Sequence, residues 1–370
     1  MPLPIDIGDF LARHWQREPL LIRDALPGFS PPLSANELAG LALEAEVESR
    51  IVEEDKGKWR VSHGPFTEAD FQRPPPWSLL VQAVDDYVPE VADLRRLVDF
   101  IPDWRADDVM VSYATDGGSV GPHFDHYDVF LLQGEGQRHW RLGQHCDGQS
   151  PLIPGTELRI LDKFEQTRDY LLNPGDILYV PPGVAHWGVA RGECTTFSIG
   201  FRAPRRGEML ARLADAALEH NDPDHFFSDP GRAPATRPGE LSTADLALAR
   251  VQALALLEST ASPRWFGELV TEPRYPAEGE DASAETIEAL LHGEGELHRT
   301  PGARIAWLEQ GGRLYVFANG ASYETETTCR PQIIALCNNG HLTVPAPDGN
   351  RAALANLLQF LLESGGVHVE

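Results

Sequence analysis

Two His-x-Asp tripeptides stand back to back directly after Gly121-Pro122: His123-Phe124-Asp125 and His126-Tyr127-Asp128. In an extended strand, residues i and i+2 point to the same face, so either tripeptide presents an imidazole and a carboxylate together. His186 supplies a third donor, in NPGDILYVPPGVAHWG, where an apolar strand runs into a Pro-Pro-Gly turn. Two histidines and one carboxylate on one side of an ion form the facial triad of non-haem Fe(II) oxygenases. That triad leaves three positions open, two for a 2-oxoglutarate and one for dioxygen. The tripeptide alone does not discriminate, since it also begins at His145 and His220. Nor does strand parity choose between the first two.

A 2-oxoglutarate needs a partner for its far carboxylate. Arg138 follows an EG turn on a strand-like run, and its guanidinium fork suits a carboxylate better than a lysine point charge. Ser112, in VMVSYAT, offers a hydroxyl donor beside it.

These residues sit in a stretch with its own texture. From 108 to 201 short runs rich in Val, Ile, Phe and Tyr alternate with Gly and Pro turns: VMVSYAT, YDVFLLQ, HWRLG, DYLLNPGD, ILYVPPG, TTFSIGFRA. Many short strands with regular turns indicate a barrel or sandwich. Residues 8–50 read as short helices around one strand, LLIRDAL, with Ser34 as an N-cap. PPPW at 74–77 is a breaker, and helical patterns run from it to about residue 98. After Pro204 comes the helix GEMLARLADAALEH, then the linker DPDHFFSDPGRAPATRPGE. STADLALARVQALALLES opens with a Ser242/Asp245 capping pattern. Its second half is apolar nearly all round, so burial between domains or subunits is expected. From about 273 a small α/β module follows: helix ASAETIEALLHG, strand RLYVFANG, helix PQIIALC, strand HLTV and helix NRAALANLLQFLLES. That order resembles a winged helix.

Composition excludes some functions. With 31 basic and 56 acidic residues the formal charge is -25, which repels phosphate backbones and anionic membranes and attracts a basic partner. Residues 273–370 hold six Lys/Arg against 13 Asp/Glu, so the winged-helix-like module is expected to contact protein rather than nucleic acid. Cys146, Cys194, Cys329 and Cys337 form no C-x-x-C pair and read as reduced thiols of a cytoplasmic protein. No signal-peptide pattern is expected in MPLPIDIGDFLARHW, and ALARVQALALL is too short to span a bilayer.

In order along the chain, GPHFD, then Arg138 in QRHW, then PPGVAHWG resemble the JmjC group of the cupin oxygenases. DWRADDVMVSYATDGGSVGPHFDHYDVFLLQGEGQRHWRLG and SIGFRAP resemble, more specifically, the bacterial ribosomal oxygenases, JmjC enzymes that hydroxylate an arginine of a large-subunit ribosomal protein. FLARHWQREPLLIRDALPGF matches the opening segment of that group. The resemblance covers residues 8–204 closely and the remainder in architecture. It implies an α+β fold: a double-stranded β-helix (cupin, jelly-roll) JmjC catalytic domain at 1–204, a helical dimerisation region at 205–272 and a winged-helix-like domain at 273–370. Ligands placed directly after Gly-Pro select His123 and Asp125, with His186, and turn His126 and Asp128 away. Arg138 stands where many JmjC proteins use lysine, in keeping with the bacterial subgroup. The implied reaction uses Fe(II), 2-oxoglutarate and dioxygen, and yields succinate, carbon dioxide and a hydroxylated side chain.

The substrate side chain must come close to the iron. Tyr127 shares parity with His123 and Asp125, and an arginine can stack on it. Asp108 shares parity with Ser112 and can pair with a guanidinium; Ser198, in TTFSIGF, is a further contact candidate. The expected partners are a basic ribosomal protein and a second copy of the chain, without direct nucleic-acid or membrane binding. Competing readings are a histidyl hydroxylase, a lysine demethylase, a DNA-binding regulator acting through the winged helix, and a cupin holding a structural or isomerase zinc.

Overall fold

The computed structural model describes residues 3–219, 221–222, 224–259, 262–280, 282–344 and 351–370. The chain divides into two compact units, Met1–Ala203 and Pro204–Glu370.

The first unit is built on two sheets. Its strands are β1 (Leu20–Ile22), β2 (Ser49–Asp55), β3 (Lys58–His63), β4 (Trp77–Val81), β5 (Ala106–Ala114), β6 (Val129–Gln133), β7 (Gln137–His145), β8 (Arg168–Leu172), β9 (Ile177–Val180), β10 (Val184–Arg191) and β11 (Cys194–Phe201). The large sheet runs β1-β9-β6-β11-β5-β4-β2-β3 and the small one β10-β7-β8, with antiparallel pairing throughout. This is the double-stranded β-helix expected of a cupin. Strands β6 (VFLLQ) and β9 (ILYV) are buried at every residue because both faces of the large sheet are covered.

Alternation on β5 and β11 divides polar from apolar. Val109, Val111, Phe197, Ile199 and Phe201 pack outward into the main core, with Phe10, Leu38, Val91 and Leu97. Asp108, Ser112, Thr196 and Ser198 take the opposite face, between the sheets. A second cluster, with Val129, Leu131, Trp140, Leu142, Leu172 and Leu178, fills the apolar part of that intersheet space.

Helix α1 (Ile7–Arg13) is too short to persist alone. Asp6 caps it, and Phe10 anchors it, 1% exposed and edge-on to Tyr179 at 4.9 Å. Burying such a ring contributes roughly 1.5–3 kcal/mol. Beside it, Tyr179 donates its hydroxyl to Asp128 at 2.6 Å, and the Gln16 side chain donates to the other Asp128 oxygen at 3.0 Å. Burial raises the Asp128 carboxyl above its ordinary range. Helix α2 (Ala35–Leu41) carries the expected Ser34 cap as a full capping box with Glu37. The helical stretch after PPPW does not begin at once, since Trp77–Val81 is β4. Helix α3 (Pro89–Ala92) and 3₁₀ turns at Val84–Asp86 and Asp93–Val98 follow it.

The second unit begins with α4 (Arg206–Glu219), α5 (Thr243–Glu258) and α6 (Arg264–Thr271). Ser242 and Asp245 form the capping box of α5. Within this chain α5 buries none of its residues: Leu246, Val251 and Leu254 are exposed. The winged-helix part comprises α7 (Ala284–Leu291), β12 (Leu297–Arg299), β13 (Ile305–Gln310), β14 (Arg313–Ala318), β15 (Ala321–Glu326), α8 (Arg330–Asn339), β16 (His341–Leu342), α9 (Arg351–Glu363) and β17 (Val367–Val369). Its two three-stranded sheets are ordered β16-β12-β17 and β13-β14-β15. Asn350 and His220, which opens the fourth His-x-Asp, lie outside the described residues.

Candidate active site

His123 and Asp125 lie in the segment between β5 and β6, and His186 lies on β10. His123 and His186 form one antiparallel bridge: His123 N–H donates to the His186 carbonyl at 3.0 Å, and His186 N–H to that of His123 at 2.8 Å. Gly183 N–H donates to the Asp125 carbonyl at 2.8 Å, so the Pro-Pro-Gly turn also holds the carboxylate's backbone. At Gly183 only glycine fits: φ is +78°, and a Cβ would stand 2.6 Å from the His145 ring.

The side chains converge. Each residue of His123, Asp125 and His186 offers a donor atom, and the three atoms lie within 4.8 Å of one another. The His123 and His186 ring centroids are 4.2 Å apart, and His186 Nε2 is 3.5 Å from Asp125 Oδ2. Nδ1 of His123 bonds the Gly121 carbonyl at 2.9 Å and Nδ1 of His186 that of Val184 at 3.0 Å. Those bonds place the proton on Nδ1 and leave Nε2 for a metal.

The electrostatics suit a cation. Burial, reinforced by repulsion from His186, lowers His123 to about 4, so its imidazole is neutral at neutral pH. Burial also disfavours charge on the other two. The hydrogen bond and charge attraction between His186 and Asp125 outweigh it, raising His186 and lowering Asp125 to about 2. Two imidazoles and one carboxylate match the donor set of a non-haem iron site.

Between the sheets, Arg138 on β7 is 6% exposed. Its Nη1 donates to the hydroxyls of Ser112 at 3.2 Å and Thr196 at 3.3 Å, and its guanidinium lies 5.6 Å from the Trp140 ring centre. Its Nε is buried without a hydrogen-bond partner. Among the described residues no carboxylate forms an ion pair with it. A buried cation in that condition is costly unless an anion joins it, and a dicarboxylate such as 2-oxoglutarate fits the need.

Asp108 and Ser112 share the intersheet face of the large sheet, as their parity predicts, and Ser198 on β11 lies on the same face. Asp108 accepts from Gln82 Nε2 at 2.6 Å and from Ala83 N–H at 3.0 Å. Ala83 has φ of +49°, a left-handed conformation rare for alanine. Tyr127 lies at the rim, 42% exposed, rather than enclosed. Asp125, burial, Asp108 and Asp107 together push its pKa well up. His126 is exposed, and Asp128 is wholly buried against Tyr179 on the far side.

Thr196, Gln82, Ala83 and Arg50 escape the sequence reading. Thr196 is cross-strand to Ser112, two residues before Ser198, so parity alone could have found it. Arg50 on β2, whose charge acts on both His123 and Tyr127, carries no local signal.

Residues 93–209 match the JmjC domain family, and residues 254–366 match the ROXA-like winged helix. The chain is 39% identical to the ribosomal protein uL16 3-hydroxylase of Escherichia coli, over 92% of this chain and 91% of that protein. It is 34% identical to a probable ribosomal oxygenase of Haemophilus influenzae, over 90% of this chain and 85% of that one. A solved ribosomal oxygenase from Escherichia coli, in complex with cobalt and 2-oxoglutarate, superposes with a TM-score of 0.82 at 37% identity, covering 100% of this chain and 99% of that one.

Proposed function

This chain belongs to the JmjC-domain ribosomal oxygenases, Fe(II)- and 2-oxoglutarate-dependent protein hydroxylases, and from that premise we propose that it hydroxylates an arginine side chain of a basic large-subunit ribosomal protein in the cytoplasm. The observation that carries the arginine reading is the acidic mouth beside the triad. Tyr127, half-exposed, stands in the field of Asp125, Asp108 and Asp107. A guanidinium can stack on that phenol and pair with Asp108, while Ser198 lies on the same face.

In this reading His123, Asp125 and His186 hold the iron, and Arg138 with Ser112 holds the far carboxylate of 2-oxoglutarate. The bound iron and cosubstrate supply the oxidising power for attack on an unactivated C–H bond. The chain's own part is to orient and to exclude water. Trp140 and the surrounding apolar cluster keep the intersheet space dry, and the backbone bridge fixes the two imidazoles. Asp108 is pre-aimed by Gln82 and Ala83. No side chain needs to exchange a proton with the substrate carbon.

The helical region 205–272, with α5 left bare in the single chain, is the natural dimerisation surface, and 273–370 is read as a protein-contact module.

Incubating purified enzyme with Fe(II), 2-oxoglutarate and basic ribosomal proteins, followed by fragment mass spectrometry, tests the proposal. One added oxygen on an arginine is expected. An oxygen on histidine would replace the substrate assignment, and no modified ribosomal protein would remove it.

A further inference from the structure

The outer face of the β16-β12-β17 sheet carries a grid of metal-ligating side chains, far from the JmjC trio in sequence. Strand alternation sends Leu297, Leu342 and Val369 towards the core of the second unit, so their neighbours point outward. His298 on β12 is directly cross-strand to His341 on β16 and to His368 on β17. One row across three strands is therefore all histidine. Glu296 and Glu370 exchange both backbone bonds, at 3.2 and 3.0 Å, and so form the next row on the same face, two residues away.

The side chains meet in pairs. The rings of His341 and His368 lie 5.8 and 5.9 Å from that of His298. His298 Nε2 is 3.4 Å from Glu296 Oε2 and 3.5 Å from Glu370 Oε2. His341 Nδ1 bonds Glu296 Oε1 at 2.7 Å, and His368 Nε2 is 3.9 Å from Glu370 Oε1. Around a tetrahedral ion with bonds of roughly 2.0–2.2 Å, neighbouring ligand atoms stand roughly 3.3–3.6 Å apart, so His298 is already at ligand spacing from both carboxylates. The JmjC trio is the one described group whose donor atoms all converge at present. In the grid, closing a third donor round a common point takes rotation of side chains that solvent leaves free, His341 being 51% exposed.

Two carboxylates directly opposite on antiparallel strands repel, and a divalent ion between them removes that cost. Imidazole with carboxylate selects a late first-row ion over calcium or magnesium. We propose that His298, with Glu296 and Glu370 and one flanking histidine, His341 or His368, forms a second metal site in the winged-helix module, for a zinc-type divalent ion.

The test uses full-length protein without a histidine tag, carrying His123→Ala and His186→Ala so that the JmjC trio contributes no ion. After equilibrium dialysis against low-micromolar Zn(II), elemental analysis should find one zinc per chain. Adding His298→Ala should abolish it, and adding Glu296→Gln with Glu370→Gln instead should weaken it at least tenfold. His298 and Glu296 are half-buried, so unchanged circular dichroism is required of each variant to verify the fold. Absence of zinc in the double variant, or zinc that survives both His298→Ala and the glutamine pair, would overturn the proposal.

Discussion

His123 and His186 are joined through their backbones: each donates its N–H to the other's carbonyl, and their rings stand 4.2 Å apart. Two segments 63 residues apart in sequence (186 − 123) are thereby brought into register before any metal binds. The bridge uses main-chain atoms alone, so removing either imidazole leaves it intact. Folding and metal binding are therefore separable at this site.

The first prediction follows. His123→Ala, Asp125→Ala and His186→Ala should each lower Fe(II)-dependent 2-oxoglutarate turnover by more than about 100-fold, beyond the roughly 10–100-fold typical of a lost outer-shell partner. Melting of the metal-free protein should change little in His123→Ala. His126→Ala, at an exposed residue, should keep most activity. An inactive His126→Ala beside an active His123→Ala would reverse the ligand assignment.

Arg138 offers the second. Losing one side of a charge-assisted pair in a closed pocket costs on the order of 2–5 kcal/mol, so Arg138→Ala should raise the KM for 2-oxoglutarate at least about thirtyfold. Arg138→Lys should fall between, keeping charge and losing the fork. Because no described carboxylate forms an ion pair with this buried cation, Arg138→Ala should not greatly destabilise the protein in the absence of 2-oxoglutarate. What should vanish is the rise in Tm that 2-oxoglutarate gives the wild type. A preserved Tm rise would move the cosubstrate's anchor elsewhere, for example to Arg141.

The third concerns α5. Leu254 is 45% exposed in the single chain, and Val251 and Leu246 more so. At about 25 cal/mol per Å² of apolar surface, covering this face in a symmetric pair contributes several kcal/mol. Leu254→Glu with Leu257→Glu should yield monomers in sedimentation at micromolar concentration. Wild-type protein that already sediments as a monomer would remove the dimer.

What could be read from the sequence depended on whether a residue's neighbours were local. The strands from 108 to 201 are marked by their own turns, and strand parity placed Asp108 and Ser112 on one face, where the cross-strand register also puts Ser198. Trp77–Val81 misleads because both its faces are covered: WSLLV has no alternation, and a short apolar run cannot be told from a helix by period. The β2–β3 hairpin had a usable signal in Lys56-Gly57, both at positive φ. Choosing His123 over His126 needed family likeness, since both tripeptides have the same parity. Asp128 turned out wholly buried because its partners, Gln16 and Tyr179, come from distant segments.

The last prediction concerns the substrate. Asp108 accepts from two donors, Gln82 Nε2 and the N–H of Ala83, both on Oδ2. Asp108→Asn removes the charge and sets an amide N–H₂ either against both of those donors or against the incoming guanidinium. It should raise the KM for the ribosomal protein by roughly tenfold or more, the size of one charge-assisted hydrogen bond at about 1.5–3 kcal/mol. Uncoupled 2-oxoglutarate oxidation should be unaffected, since the iron ligands are untouched. Tyr127→Ala should act the same way, and Tyr127→Phe should retain the stacking face. Replacing the target arginine by lysine should leave little product, because bidentate pairing and stacking are both lost. The chain's charge of -25 adds long-range attraction for a cationic partner, and that attraction fades as the Debye length falls to roughly 8 Å near physiological salt. Protein hydroxylation should therefore slow as salt rises while uncoupled turnover holds steady. If both respond to salt alike, or if Asp108→Asn alters uncoupled turnover and leaves the KM for the protein unchanged, the acidic mouth does not grip the substrate.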